Sequence, residues 1–230
     1  MGARTYRGFL VRIAIALALV ALAAWGAWLY ACSWTPSRTA YPVQGVTIES
    51  GLGPVDWGSL HAAHADFAYI RASLGADHRD PTFAANWAGA RAVGMRYGAV
   101  HDFSLCRPAA DQATMFMTTV PRDAAALPPV VHLALSPGCK ARPSRDALLS
   151  DLNTVLNLIE GHSGKPAVMR VSEEFNALYD VAGGINRTLW LDGNFLTPDY
   201  AGRPWVMWTA SDIHRLDGIE APVEWDVVTP

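Results

Sequence analysis

The sequence predicts an α/β chain, an irregular parallel (β/α) barrel of the TIM-like type preceded by one N-terminal transmembrane helix. Three observations carry this reading. An uncharged apolar stretch lies near the N-terminus, eight short runs rich in β-branched and aromatic residues follow it, and amphipathic helical patterns separate several of those runs.

Residues 13–31, IAIALALVALAAWGAWLYA, carry no charge. At about 1.5 Å rise per residue they cover the roughly 30 Å hydrocarbon core of a bilayer. Arg4, Arg7 and Arg12 precede them with no acidic residue. Residues 1–12 therefore read as a cytoplasmic basic segment, and everything after the helix faces outward. A cleaved signal peptide has a shorter apolar region and a small-residue exit, which favours a retained anchor. The expected location is the inner (cytoplasmic) membrane, single-pass, with the domain on the periplasmic or extracellular side. LYAC, ending at Cys32, offers the alternative of an exported lipoprotein tethered through that cysteine. Residues 32–40 form a polar linker, and residues 41–230 are long enough for one domain with a sizeable core.

In that domain strands are expected at 44–48, 66–72, 95–103, 129–135, 167–171, 188–192, 205–210 and 222–228. PTFAANWAGARAVG puts Pro81 in a first turn, sets Phe83, Trp87 and Ala90 on one face, and stops at Gly94. SRDALLSDLNTVLNLIEG offers Ser144 as N-cap, Leu148, Leu152, Val155 and Ile159 as an apolar stripe, and Gly161 as terminator. The connections between the last three strands are too short for helices, which makes the barrel irregular. Reactive side chains of such barrels gather at the carboxyl ends of the strands.

A formal charge of −3 with scattered basic residues leaves no electrostatic footprint for nucleic acid. Cys106 and Cys139, an even pair in an exported domain, read first as a disulfide. Metal ligation by the pair is the weaker reading, because no Cys or His lies two to four residues from either. No cofactor or metal site is expected.

Several stretches together resemble the family-25 glycoside hydrolases, lysozymes of the N-acetylmuramidase type that cleave peptidoglycan. GPVDWGSLHAAHADFAYIRASLGADHRDPTFAANWAGARAVGMRYGAVHDF carries most of it, with ADQATMF, LPPVV, LWL, RPWVMW and GIEAPVEWDVV further along. The resemblance runs from about Tyr41 to Val228 and implies the family's barrel. It also implies where the reacting carboxyls should stand, namely in a GVDVS-like first strand and in a Leu-Asp-x-Glu at the end of a middle strand. Here those positions read GVTIES and VHLA. Thr47 replaces the first aspartate, His132 the second, and Ala134 the glutamate expected to donate the proton.

A glycosidic bond needs such a donor and, in most cases, a second carboxylate, so the resemblance implies the fold of a hydrolase with degenerate catalytic positions. Glu49 lies on the same strand face as Thr47, Asp102 stands where the family prefers an aromatic residue, and Glu224 keeps an acidic position of the last strand. These three are the candidate substitute carboxylates. His101, Asp102 and Trp208 are the candidate ligand contacts. Three functions are consistent with these residues. The first is an inactive, membrane-anchored domain that binds peptidoglycan glycan strands or acts as a scaffold. The second is an active muramidase with relocated carboxylates, and the third is a metal-dependent site on His101, Asp102 and His132. No protein partner can be named from the sequence.

Overall fold

The computed structural model describes residues 3–230. They fall into two compact units, one ending at Trp34 and the other spanning Thr35–Pro230. In the first, α1 (Ala3–Ser33) is one continuous helix. Its Gly8–Ser33 portion, with mean hydropathy 2.2, is long and apolar enough to cross a membrane. Cys32, near its end, is in no disulfide.

The second unit is a closed eight-stranded barrel. Its strands are β1 (Val43–Ile48), β2 (Phe67–Leu74), β4 (Arg96–Asp102), β5 (Val130–Leu133), β6 (Val168–Val171), β7 (Thr188–Asp192), β8 (Met207–His214) and β9 (Val223–Val228). A two-residue strand, β3 (His78–Arg79), pairs antiparallel with the end of β2 and lies outside the barrel. Helices α2 (Trp57–Ala62), α3 (Phe83–Ala92), α4 (Ala109–Thr119), α5 (Arg145–Ser163), α6 (Glu173–Tyr179) and α7 (Val181–Gly184) fill the connections.

From β1 through β8 every neighbouring barrel pair is parallel. The last strand departs from the parallel expectation, since β9 runs antiparallel to both β8 and β1 and closes a mixed barrel. The connection explains it, because residues 215–222 are too few for the dozen or more that a parallel crossover needs. A second departure concerns α5, which runs through Gly161 and ends at Gly164. There the backbone turns left-handed at φ 71° and the Gly164 N–H donates to Glu160 O at 2.8 Å.

Alternation along the strands sorts the side chains. Phe67, Tyr69, Val100, Val130, Val168, Trp190 and Met207 pack together as the barrel's interior. Tyr97 and His101, on the alternate face of β4, meet Trp87 of α3 and Phe116 of α4. Two glycines make room inside. A Cβ at Gly45 would stand 2.3 Å from Phe67 O, and one at Gly98 would stand 2.4 Å from the Tyr69 ring. Large aromatic rings therefore fill a barrel whose walls are locally stripped of side chains.

Cys106 and Cys139 are bonded, joining the loop after β4 to the loop after β5. The closed loop spans a sequence separation of 33, worth about 3–4 kcal/mol through the unfolded chain. Replacing both cysteines by serine should lower unfolding stability by up to that amount, read as a shift in denaturant midpoint. An unchanged midpoint would show that the bridge constrains nothing the fold needs.

Candidate active site

The register of the barrel gathers charged side chains at its carboxyl end. Asp102 pairs with His132 across β4 and β5, and His132 with Arg170 across β5 and β6. All three therefore stand level on neighbouring strands. Asp192 ends β7, Glu224 and Asp226 lie two apart on one face of β9, and Arg71 lies near the end of β2.

These residues close a ring of alternating charge. His132 Nδ1 meets Asp102 Oδ1 at 2.7 Å, and its Nε2 meets Asp192 Oδ2 at 3.2 Å. Arg170 Nε donates to Asp192 Oδ1 at 2.6 Å, and another of its nitrogens donates to Glu224 Oε2 at 2.6 Å. Arg71 completes the circuit, reaching Glu224 at 3.2 Å and Asp102 at 3.0 Å. Its Nε also faces Glu49, at 3.1 Å. Beneath the ring, Asp226 accepts hydrogen bonds from Thr47 at 2.8 Å and Thr209 at 2.9 Å, while Trp190 Nε1 donates to Thr209 at 3.0 Å. The Arg170 guanidinium lies 4.9 Å from the centre of a Trp190 ring, a cation–π contact out of water.

The ring sets its members' protonation. Burial alone would raise Asp102, but the His132 hydrogen bond and the Arg71 charge hold its carboxyl far below the usual carboxylate range. Burial is likewise overcome at Asp192, by Arg170 and His132, and at Glu224, by Arg170. For His132 burial disfavours charge, yet Asp192 and Asp102 raise its pKa. Asp226 goes the other way, pushed up to about 7 by burial and by the nearby Glu224 charge. At neutral pH the ring's three carboxylates are thus ionised, and the one carboxyl held toward its protonated form is wholly buried.

A cavity of about 280 Å³ opens over the ring, with Glu49, Arg71, Asp102, His132 and Ala134 among its walls. The three carboxylates singled out from the sequence, Glu49, Asp102 and Glu224, converge on the single guanidinium of Arg71. Thr47 is committed to Asp226. Ala134 lines the cavity. What the arrangement offers chemically is a charged, hydrogen-bonding floor whose three ring carboxylates are all ionised and paired.

Two of the expected ligand contacts do not reach the cavity. Trp208 is 1% exposed and packs edge-on against Tyr41, so it has no free face for a sugar ring. His101 is buried on the helix side, bonded to Ser73 Oγ at 2.9 Å, and burial pushes it down to about 4. Because β4 alternates, His101 and Asp102 face opposite ways, and His101, Asp102 and His132 form no metal cage. Among the described residues no group of three or more potential ligands is placed to hold an ion. Arg71, Arg170, Asp192 and Asp226 are members of the site that the sequence reading passed over. Their signal was available, since each is a charge inside or ending an apolar strand run, and Glu224 and Asp226 share a face at i, i+2.

Comparisons with known proteins agree with this architecture. Residues 47–219 match the model of glycosyl hydrolases family 25. YegX of Escherichia coli K12 is 27% identical over 195 residues, 82% of this chain and 70% of its own length. Lysozyme M1 of Streptomyces globisporus is 36% identical over 72 residues, 31% of this chain and 24% of its own. Among solved structures, a family 25 glycosyl hydrolase from Bacillus anthracis superposes with a TM-score of 0.77 at 27% identity, covering 85% of this chain and 92% of that one. The bacterial lysozyme of Streptomyces coelicolor gives 0.75 at 22% identity, over 82% and 92%, a likeness of fold.

Two outcomes follow from the ring. Arg170→Met removes the cation between Asp192 and Glu224 and should lower stability by about 3–5 kcal/mol, measured by chemical denaturation; a loss under about 1 kcal/mol would mean the pairs are solvated. The second concerns Asp226, whose folded pKa lies above its unfolded value. Its contribution is fully present below the unfolded pKa near 4 and is lost as pH rises to about 7. Asp226→Asn should therefore flatten the fall in stability between pH 4 and 7, and an unaltered pH profile would contradict the assignment.

Proposed function

The chain belongs to glycosyl hydrolases family 25, and on that premise we propose that its barrel is a non-hydrolytic, peptidoglycan-binding member, held at the cell envelope by the N-terminal helix. The observation that carries this reading is Ala134. It lines the cavity, the resemblance to the family expects a proton-donating glutamate there, and a methyl group can donate nothing. Loss of a general acid alone lowers rate by about 10²–10⁴.

The carboxyls of the ring and the one beneath it do not take over the role. A general acid must hold its proton near neutral pH, whereas Asp102, Asp192 and Glu224 are each kept ionised by an arginine or by His132. Asp226, which does hold a proton more tightly, is sealed beneath them and occupied by Thr47 and Thr209. The cavity itself persists, which supports binding without turnover. The apolar helix of 26 residues with arginines before it supports a single-pass anchor whose domain faces the wall.

The full chain in detergent should co-sediment with purified sacculi while releasing no soluble sugar fragments. Release above a protein-free control would overturn the non-hydrolytic reading, and sedimentation no better than an unrelated protein would overturn the binding. Restoring the family residues should not restore lysis. Thr47→Asp sets a second carboxyl against Asp226, and His132→Asp removes the cation between Asp102 and Asp192. Combined with Ala134→Glu, these changes should lower stability by about 3–5 kcal/mol, seen as an earlier thermal unfolding transition.

A further inference from the structure

The walls of the cavity say which part of a wall polymer they suit. No tryptophan or tyrosine lines it, and its phenylalanine, Phe103, is 5% exposed. Trp57, Trp87, Trp190, Trp208 and Trp225 are all core residues. A sugar ring therefore finds no indole or phenol face among the lining residues. The apolar wall is aliphatic instead, made by Leu74, Ala134 and Leu135.

Leu74 stands there because β2 carries a bulge. The register with β4 shifts between Arg71 and Ser73, so that Ser73 pairs with His101 and Leu74 comes level with Asp102. Without the extra residue, alternation would turn Leu74 to the other face of the strand. Leu74 is 43% exposed, an apolar surface that no neighbour of the fold covers.

The cavity also holds carboxylates. The ring balances itself when His132 is protonated, with three carboxylates against three cations. Glu49 and Asp80 add to it at this cavity, and Asp212 adds to it at an adjoining cavity of about 150 Å³ that shares Glu49 and Arg71. Both oxygens of Asp80 are taken by Ser50 N and by the Thr82 N–H and hydroxyl. Asp102 is taken by Arg71 and His132. Glu49 differs. Its side chain is 46% exposed, one oxygen meets Arg71, and the other has no partner among the described residues.

We propose that this cleft recognises the amine-bearing peptide part of the wall polymer rather than its sugars. An aliphatic peptide side chain lies on Leu74, Ala134 and Leu135 and sets its ammonium against Glu49. This rests on the peptidoglycan-binding reading above and sharpens it. Charge complementarity selects a cation, the aliphatic wall selects a methylene chain or methyl group over a ring, and Arg71 beneath repels a second cation from the ring itself.

The test uses the full chain in detergent and three preparations: intact sacculi, sacculi whose amines are capped with acetic anhydride, and glycan strands stripped of peptide. Binding to intact sacculi should exceed binding to either of the others by about tenfold or more, a difference of about 1.4 kcal/mol. Glu49→Gln should lose a comparable factor on intact sacculi with its melting temperature unchanged. Capped sacculi or bare strands bound as tightly as intact sacculi would overturn this inference and leave the binding reading standing. Failure to bind all three would overturn both.

Discussion

Arg170 is the side chain around which the mouth of the barrel is arranged. It is 2% exposed, so its charge is out of water and must be met by protein. Asp192 and Glu224 meet it at 2.6 Å each, and the Trp190 ring lies beside it. Those two carboxylates then have one remaining side apiece, and each is satisfied by a further cation: His132 for Asp192, Arg71 for Glu224. Asp102 joins the last two. A buried cation thus propagates outward as a closed circuit, because each neutralised group must itself be desolvated beside a partner. The apolar interior below depends on this lid. Tyr69 and Trp190, 5.3 Å apart, fill the barrel directly beneath it.

That circuit also explains how the departures from the family pattern belong together. A histidine at position 132 sits between two aspartates and balances them, where another aspartate would have added a third like charge. A threonine at position 47 supplies a hydroxyl to Asp226 where a carboxyl would have opposed it. Ala134 differs from both, since its methyl group enters no bond of the circuit. The floor of the cleft is thus a closed set of paired charges, with Glu49 at its rim half exposed.

Much of the fold was legible because it depends on patterns local to a strand or helix. The eight barrel strands announce themselves as short β-branched and aromatic runs, and α3 and α5 as apolar stripes; Ser144 caps α5 as expected, whereas Pro81 lies ahead of α3, which begins at Phe83. The closing direction of β9 depends on loop length, which the short final connections foreshadowed without fixing the strand's orientation. The site was less legible. Ala134 and Thr47 stood out as departures from a resemblance, but Arg71, Arg170 and Asp192 matter through partners on other strands, and no one-dimensional spacing shows that His132 lies level with Arg170. Trp208 misled for the same reason. Its place in the chain suggested a ligand contact, whereas its burial follows from packing against Tyr41, far away in sequence.

The strand that closes the barrel is also the last of its strands in sequence order. β9 pairs with β8 beside it and with β1, whose residues precede it by well over a hundred positions. Thr47 meets Asp226 across a separation of 179 residues, and Gln44 meets Trp225 across 181. Contacts of such range form late and slowly. Without β9, Arg71 and Arg170 lack Glu224, β1 and β8 present open edges, and the interior aromatics have no lid. Removal of β9 alone would therefore strip partners from β1 and β8 and from both arginines, undoing structure built by the far end of the domain.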